Sequence, residues 1–210
     1  MQSITIRNQQ FSLHGSGALF WPEKNMLLIA DVHFGKVAHF RKYGAAIPTS
    51  ASKSNFTKLQ QVVSETNPKT ICFLGDLFHS VMNNEFLAFQ QWAETSTAKL
   101  ILVAGNHDII SPHEFEALGM TVVEELQMDG LILTHHPTDS DTHFNISGHI
   151  HPGVRLQGPA RQMTKLPCFF KRRNQLILPA FGSFTGKYIL KPTEEDEVFV
   201  IVEDEVVKVS

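Results

Sequence analysis

The sequence predicts an α/β domain in which two sheets lie face to face with helices outside. Three observations predict it. Between Met26 and Val103, short apolar runs alternate with helical stretches, the pattern of parallel strands joined by right-handed crossovers. Beyond Asp108 helical order weakens and short strands follow one another, which suggests a second sheet of mostly antiparallel character. No repeat, low-complexity run or long linker separates the halves, so residues 1–210 read as one domain.

Each element has its own signal. Ser3 to Arg7 alternates apolar and polar residues and reads as a strand, and Ala18 to Trp21 as a second, closed by the turn Pro22 to Asn25. Met26 to Ala30 is apolar throughout, as in a strand buried on both faces. Val37 to Tyr43 looks helical and stops at Gly44. Ser50 to Thr66 is a clearer helix with Phe56, Leu59 and Val63 on one stripe, ended by Asn67-Pro68. Thr70 to Leu74 is the next buried strand, Glu85 to Thr95 a helix with Phe86, Phe89 and Trp92 inward, and Leu100 to Val103 a strand. Pro112 to Leu118 is a short helix. Strands follow at Leu131 to Leu133, Asn145 to Ser147, Leu176 to Leu178 and Val198 to Val202, and Val206 to Val209 is placed to pair with the last.

Composition excludes several classes. Hydrophobic residues make up 42% and charged residues 19%, ordinary for a globular protein. The net charge of -3 neither invites nor forbids an anionic partner. Cys72 and Cys168 match no metal or redox spacing and fit a reducing compartment. The N-terminus lacks the pattern of a signal peptide, and no apolar run approaches membrane-spanning length. A cytoplasmic protein without a membrane partner is expected. Eleven His is high for this length.

The histidines are not scattered. The chain carries Asp31-x-His33, Gly75-Asp76, Gly105-Asn106-His107-Asp108, His135 and Gly148-His149-Ile150-His151, each at the end of an expected strand. In sheets with parallel strands, ligands bind outside the carboxyl ends of the strands, and Asp31, Asp76 and Asn106 all stand there. Buried polar groups need partners, and a metal cluster would supply them. Carboxylate, imidazole and amide oxygen without thiolate suit Mn²⁺, Fe, Zn²⁺ or similar ions and disfavour a structural zinc site. The ligands suffice for two ions sharing Asp76, and such a pair can bind a phosphoryl group and activate a bridging water for in-line attack.

This ordered set resembles the calcineurin-like metallophosphoesterase superfamily. The resemblance implies a four-layer αββα sandwich of two mixed sheets and a hydrolase acting on phosphate esters. It implies two divalent ions, manganese first, with iron, zinc, nickel or magnesium as alternatives. Asp31, His33 and His151 would hold one ion and Asn106, His135 and His149 the other, with Asp76 bridging. His107 would face the leaving oxygen as acid or electrostatic stabiliser, and Asp108 would orient its ring. His136 would be a supporting or surface residue.

A second, narrower resemblance rests on longer blocks. Ala30-Asp31-Val32-His33-Phe34-Gly35-Lys36 with Phe40-Arg41 and Gly44, Leu74-Gly75-Asp76-Leu77-Phe78-His79-Ser80, and Leu178 to Gly186 look like the bacterial ligase-associated DNA damage response endonuclease family, as does Trp21-Pro22. It implies phosphodiester cleavage in nucleic acid, in a DNA-repair setting with a DNA ligase and a helicase. Lys36, Arg41 and His79 would then lie near the phosphate. A further expectation comes from charge. Thr142 to Thr193 contains no Asp or Glu but eight Lys and Arg, among them Lys171, Arg172 and Arg173. Either a phosphate backbone rests there or the stretch is a solvated loop. The alternatives to a nuclease are a phosphatase or diesterase of a nucleotide or other small phosphate ester, and a binding scaffold that lost its metals, which would show broken motifs.

Overall fold

The computed structural model describes residues 2–36, 50–79, 84–106, 108–158 and 162–210, with the backbone alone for 50–53. The helix expected over Val37 to Tyr43 lies outside them, as do Arg41 and His107.

A seven-stranded sheet runs in chain order: β1 (Gln2–Ile6), β2 (Gln9–Leu13), β3 (Leu19–Trp21), β4 (Met26–Ile29), β5 (Thr70–Leu74), β6 (Lys99–Val103) and β7 (Thr121–Val123). β1 to β4 are antiparallel neighbours, and β4 to β7 are parallel. The crossovers carry α1 (Ser50–Thr66), α2 (Asn84–Thr95) and α3 (Pro112–Ala117). The apolar runs of β4, β5 and β6 are buried on both faces because helices cover one side and the second sheet the other.

The nine-stranded second sheet orders β14 (Tyr188–Ile189), β11 (Pro152–Gln157), β12 (Met163–Lys171), β13 (Gln175–Ile177), β10 (Phe144–Ser147), β9 (Leu131–Thr134) and β8 (Leu126–Met128), with β15 (Glu197–Val202) and β16 (Glu205–Lys208) continuing from β12. Most pairings are antiparallel, as expected, but β9, β10 and β13 form a parallel core. That core brings the ends of β9 and β10 to the same rim as those of β4, β5 and β6.

Two apolar layers hold the sandwich. Leu28, Cys72 and Ile101 of the first sheet meet Leu133, Ile146, Phe169 and Leu176 of the second. Leu59 and Val62 of α1 and Phe86 and Phe89 of α2 pack on the outer face with Ile29, Phe73 and Leu102. Every described helix that joins a core cluster is on this first sheet. The outer face of the second sheet is packed by Ile150, Leu156, Leu166 and Leu190, with no helix on it among the described residues. Cys72 and Cys168 are free and buried, and burial pushes both thiols up to about 12. Among the described residues no helix is long and apolar enough to cross a membrane.

Candidate metal centre

Five parallel strands end at one rim, and each delivers polar side chains. Asp31 and His33 follow β4, Asp76 follows β5, Asn106 follows β6, His135 follows β9, and His149 and His151 follow β10. The loops after β4 and β5 run side by side, with Asp31 N donating to Gly75 O (3.3 Å) and His33 N to Asp76 O (3.0 Å). The two aspartates are thereby set in register.

Close approach requires glycine between them. Gly75 has φ +77, and a Cβ there would sit 2.2 Å from His135 Nδ1. A Cβ on Gly148 would meet Ala30 Cβ and Asp31 Oδ2 at 2.6 Å. Five candidate ligands adopt left-handed backbone: Asp31 (φ 54), His33 (φ 52), Asp76 (φ 49), His149 (φ 67) and His151 (φ 51). This conformation costs a non-glycine residue about 1 kcal/mol or more and gathers where side chains must be aimed at a ligand.

The side chains converge as two groups with carboxylates between. Asp31, His33 and His151 have ligand atoms all within 4.8 Å of one another, and so do Asp31, Asp76 and His135. His33 Nε2 faces His151 Nε2 at 3.3 Å, and His151 Nε2 lies 3.2 Å from Asp31 Oδ1. His135 has its Nδ1 3.0 Å from Leu74 O, which assigns the proton to Nδ1 and leaves a lone pair on Nε2. Around that Nε2 stand Asn106 Oδ1 at 2.9 Å, His149 Nδ1 at 3.1 Å and Asp76 Oδ1 at 3.3 Å. His135 Nε2, Asn106 Oδ1 and Asp76 Oδ1 are acceptors that repel unless a proton or a cation sits among them, and Asp31, Asp76 and His135 are almost wholly buried. Nitrogen and oxygen donors without sulfur fit a divalent metal.

The other expected residues are sorted by the same geometry. Asp108 spends its carboxylate on backbone: it accepts from the amides of Gly105 (2.7 Å), Leu77 (2.8 Å), Asp76 (3.1 Å) and Phe78 (3.4 Å). Among the described residues it thereby holds the loops after β5 and β6, and its expected role of orienting His107 concerns a residue outside them. Burial pushes the Asp108 carboxyl up and the charge of Asp76 adds to this, against the pull of its amide donors. Lys36 lies at the centre's edge: desolvation lowers its ammonium, while the charges of Asp31 and Asp76 support it. The His79 ring meets the His33 ring edge-on at 5.4 Å.

Lys171, Arg172 and Arg173 are not brought to the centre. They form the turn from β12 to β13, which abuts the start of β10, whereas His149 follows its end. Lys171 pairs with Glu197, and Arg172 stands over the Phe170 ring and 4.0 Å from Asp196.

Two further residues carry weight that the sequence did not signal. His136, expected to be peripheral, has a ligand atom within 4.8 Å of those of His135 and His149, and its ring centre lies 4.0 Å from that of His149. Asn55, on α1, is buried. Its Nδ2 donates to Val32 O (3.2 Å) and its Oδ1 accepts from Ser183 N (2.9 Å) and Oγ (2.8 Å). An Asn on an amphipathic helix reads as solvent-facing, so no local pattern could have found it.

A family model described as calcineurin-like phosphoesterase matches residues 24–153. The structure of a Pseudomonas putida nuclease MPE is similar along the whole chain: 27% identity, 99% of each chain covered, TM-score 0.83. Two looser overlaps, each with TM-score 0.42, are with a protein of unknown function, AQ665, from Aquifex aeolicus (18% identity, 60% of this chain and 78% of that one) and with the E. coli phosphoesterase Yfce (12% identity, 88% and 97%). No curated protein matches the sequence.

Proposed function

Because the chain belongs to the calcineurin-like phosphoesterase family, we propose that its metal centre is dinuclear and that it cleaves phosphodiester bonds in nucleic acid. The chain is a hydrolase of phosphate esters with a cluster of Asp and His suited to divalent metal. The observation that carries the dinuclear reading is the pair of ligand groups meeting at Asp31 and Asp76. Asp31, His33 and His151 would hold one ion, and Asn106, His135 and His149 the other, with Asp76 offered to both. Manganese is the first choice of metal. Such a pair of ions supplies Lewis-acid charge and a nucleophile at neutral pH.

The chain's own groups do the rest. Asp108 fixes the loops that carry Asp76 and Asn106. Lys36 adds positive charge beside the phosphoryl site. His107, next to Asn106 in sequence, gives its proton to the leaving oxygen. The nucleic-acid substrate is supported by likeness to a nuclease over nearly the whole chain. The bacterial setting beside a DNA ligase and a helicase rests on the sequence blocks around Asp31, Asp76 and Phe181.

The test assays bis-p-nitrophenyl phosphate, p-nitrophenyl phosphate and nucleic acid, metal by metal, with metal analysis of the same samples. Two ions per chain and preference for diesters are expected, and Asp76→Asn should lose both occupancy and activity. Full activity in Asp76→Asn would refute the bridging role. Hydrolysis of small esters without any cleavage of nucleic acid would make this a small-ester hydrolase.

A further inference from the structure

The segment after β13, from Ala180 to Lys187, supplies no ligand to the centre, yet it is built into its wall. Phe181 N donates to Ala30 O (2.9 Å) and Gly182 N to Asp31 O (3.0 Å). At Gly182 a Cβ would lie 2.5 Å from Val32 O, so only glycine lets the segment come this close. Asn55 ties Ser183 to the same Val32. Lys58, one turn further along α1, donates from Nζ to Phe181 O (2.9 Å) and lies 4.4 Å from the centre of its ring.

Between this segment and the start of β11 runs an open groove of about 190 Å³, with His151 at one side and Lys58, Ser183, Thr185 and Lys187 among its walls. Among the described residues no carboxylate lines it. The Thr185 Oγ1 is enclosed and has no hydrogen-bond partner among the described residues. The β11–β12 ribbon continues the positive charge. Arg155 stands directly opposite Lys165, on the ribbon face that carries Gly153 and Pro167 and so borders Lys187. Like charges placed opposite destabilise a sheet. Neither these two nor Lys187 forms an ion pair among the described residues. Three residues before Lys187 the Phe184 ring is 43% exposed, whereas Tyr188, paired with Pro152, starts on the opposite face of edge strand β14 from Lys187.

We propose that the groove beside His151, continued by Lys187, Arg155 and Lys165, is a subsite that holds the backbone phosphates flanking the scissile one on a single-stranded stretch, with Phe184 as a stacking platform for its bases. The proposal rests on the nuclease reading and names where the strand leaves the metals. Cations that follow a backbone, interleaved with exposed aromatic rings, are how single strands are held without sequence preference. A small ester has no phosphate to place there, whereas every internal bond of a polymer has one on each side.

The test compares kcat/KM on a single-stranded thymidylate twelve-mer and on the thymidylate dinucleotide, which has one phosphate, using metal-loaded full-length protein over a salt series. Wild type should favour the longer substrate. Arg155→Ala with Lys187→Ala should lower kcat/KM on the twelve-mer about tenfold and flatten its salt slope by about 0.7 for each phosphate left without its cation. Phe184→Ala should lower it about tenfold with little change in slope. Melting temperature and metal content report whether each variant is folded. If wild type cleaves the twelve-mer and the variants match it in ratio and slope, the subsite is refuted while the nuclease reading stands. If wild type cleaves bis-p-nitrophenyl phosphate and neither oligonucleotide, both fall. Replacement of Lys171, Arg172 and Arg173 by Ala serves as the comparison. If that change, and not the first, flattens the slope, the strand runs over the far end of the sheet and the proposal is overturned.

Discussion

At His135 the two ring nitrogens have separate tasks, since the bond to Leu74 O occupies Nδ1 and leaves Nε2 for a metal. His107 is assigned a different task, proton donation. His107→Ala should keep both metals and lose about 10²-fold in turnover on a substrate with a poor leaving group, and less on a p-nitrophenyl ester. Metal analysis beside the two rates checks this, and loss of metal would make His107 a ligand. Lys58 offers a test of burial. Desolvation pulls its ammonium down to about 8, against the opposing charge of Asp204. Between that value and the ordinary lysine value of 10.5, the folded chain holds fewer protons than the unfolded chain. Folding is therefore penalised below about pH 8, and the penalty fades as pH rises. Wild-type stability should gain on Lys58→Gln between about pH 8 and about pH 10 in urea unfolding, and a constant difference would show that Lys58 keeps an ordinary pKa.

Among elements, α1 does more than cover the sheet. Leu59 and Val62 bury its inner stripe, while Asn55, one turn earlier, clamps the loop after β4 to the segment after β13. Asn55→Ala removes these hydrogen bonds from a buried site and should cost about 1–3 kcal/mol of stability. It should also weaken metal binding, because the carbonyl of Val32, between Asp31 and His33, loses its donor. Asn55→Asp keeps the acceptor for Ser183 but cannot donate to Val32, so it should restore only part of the loss. Urea midpoints and metal titration separate the two effects, and an unchanged metal affinity in Asn55→Ala would reduce Asn55 to a packing residue.

For the whole molecule, the metal centre is also a joint between sheets. Asp31, His33, Asp76 and Asn106 come from the first sheet, and His135, His149 and His151 from the second. Ions bound there stabilise the native state alone, by about 2.7 kcal/mol at a hundredfold excess over Kd. For a chain of this size each kcal/mol moves Tm by roughly 2–4 °C, so chelation should lower Tm by roughly 5–10 °C. Calorimetry before and after metal removal measures it, and an unmoved Tm would mean that the ligand loops gain nothing from the metal.

Sequence by itself determined the strands that carry the candidate centre and the Asp, Asn and His residues at their ends. Apolar runs such as Thr70 to Leu74 are legible because a strand covered on both faces excludes polar residues, and Gly75, Gly105 and Gly148 mark where chain meets chain too closely for a side chain. Where strands lacked such runs they were not legible: β2 is polar at Gln9 and Gln10, and β11 and β12 contain Pro152 and Pro167, which usually argue against a strand. Tertiary structure decided which of the basic residues lie near the candidate metal centre. Lys171 to Arg173 follow His151 in sequence by only a short hairpin, but β12 runs back past the centre and carries them to the opposite end of β10. Arg155, Lys165 and Lys187 stay on its side, because β11 and β14 leave the rim as parallel neighbours, with Tyr188 bonded to the carbonyl of His151. Distance along the chain says nothing about which way a strand turns; that is settled by the ladders and apolar faces its neighbours offer.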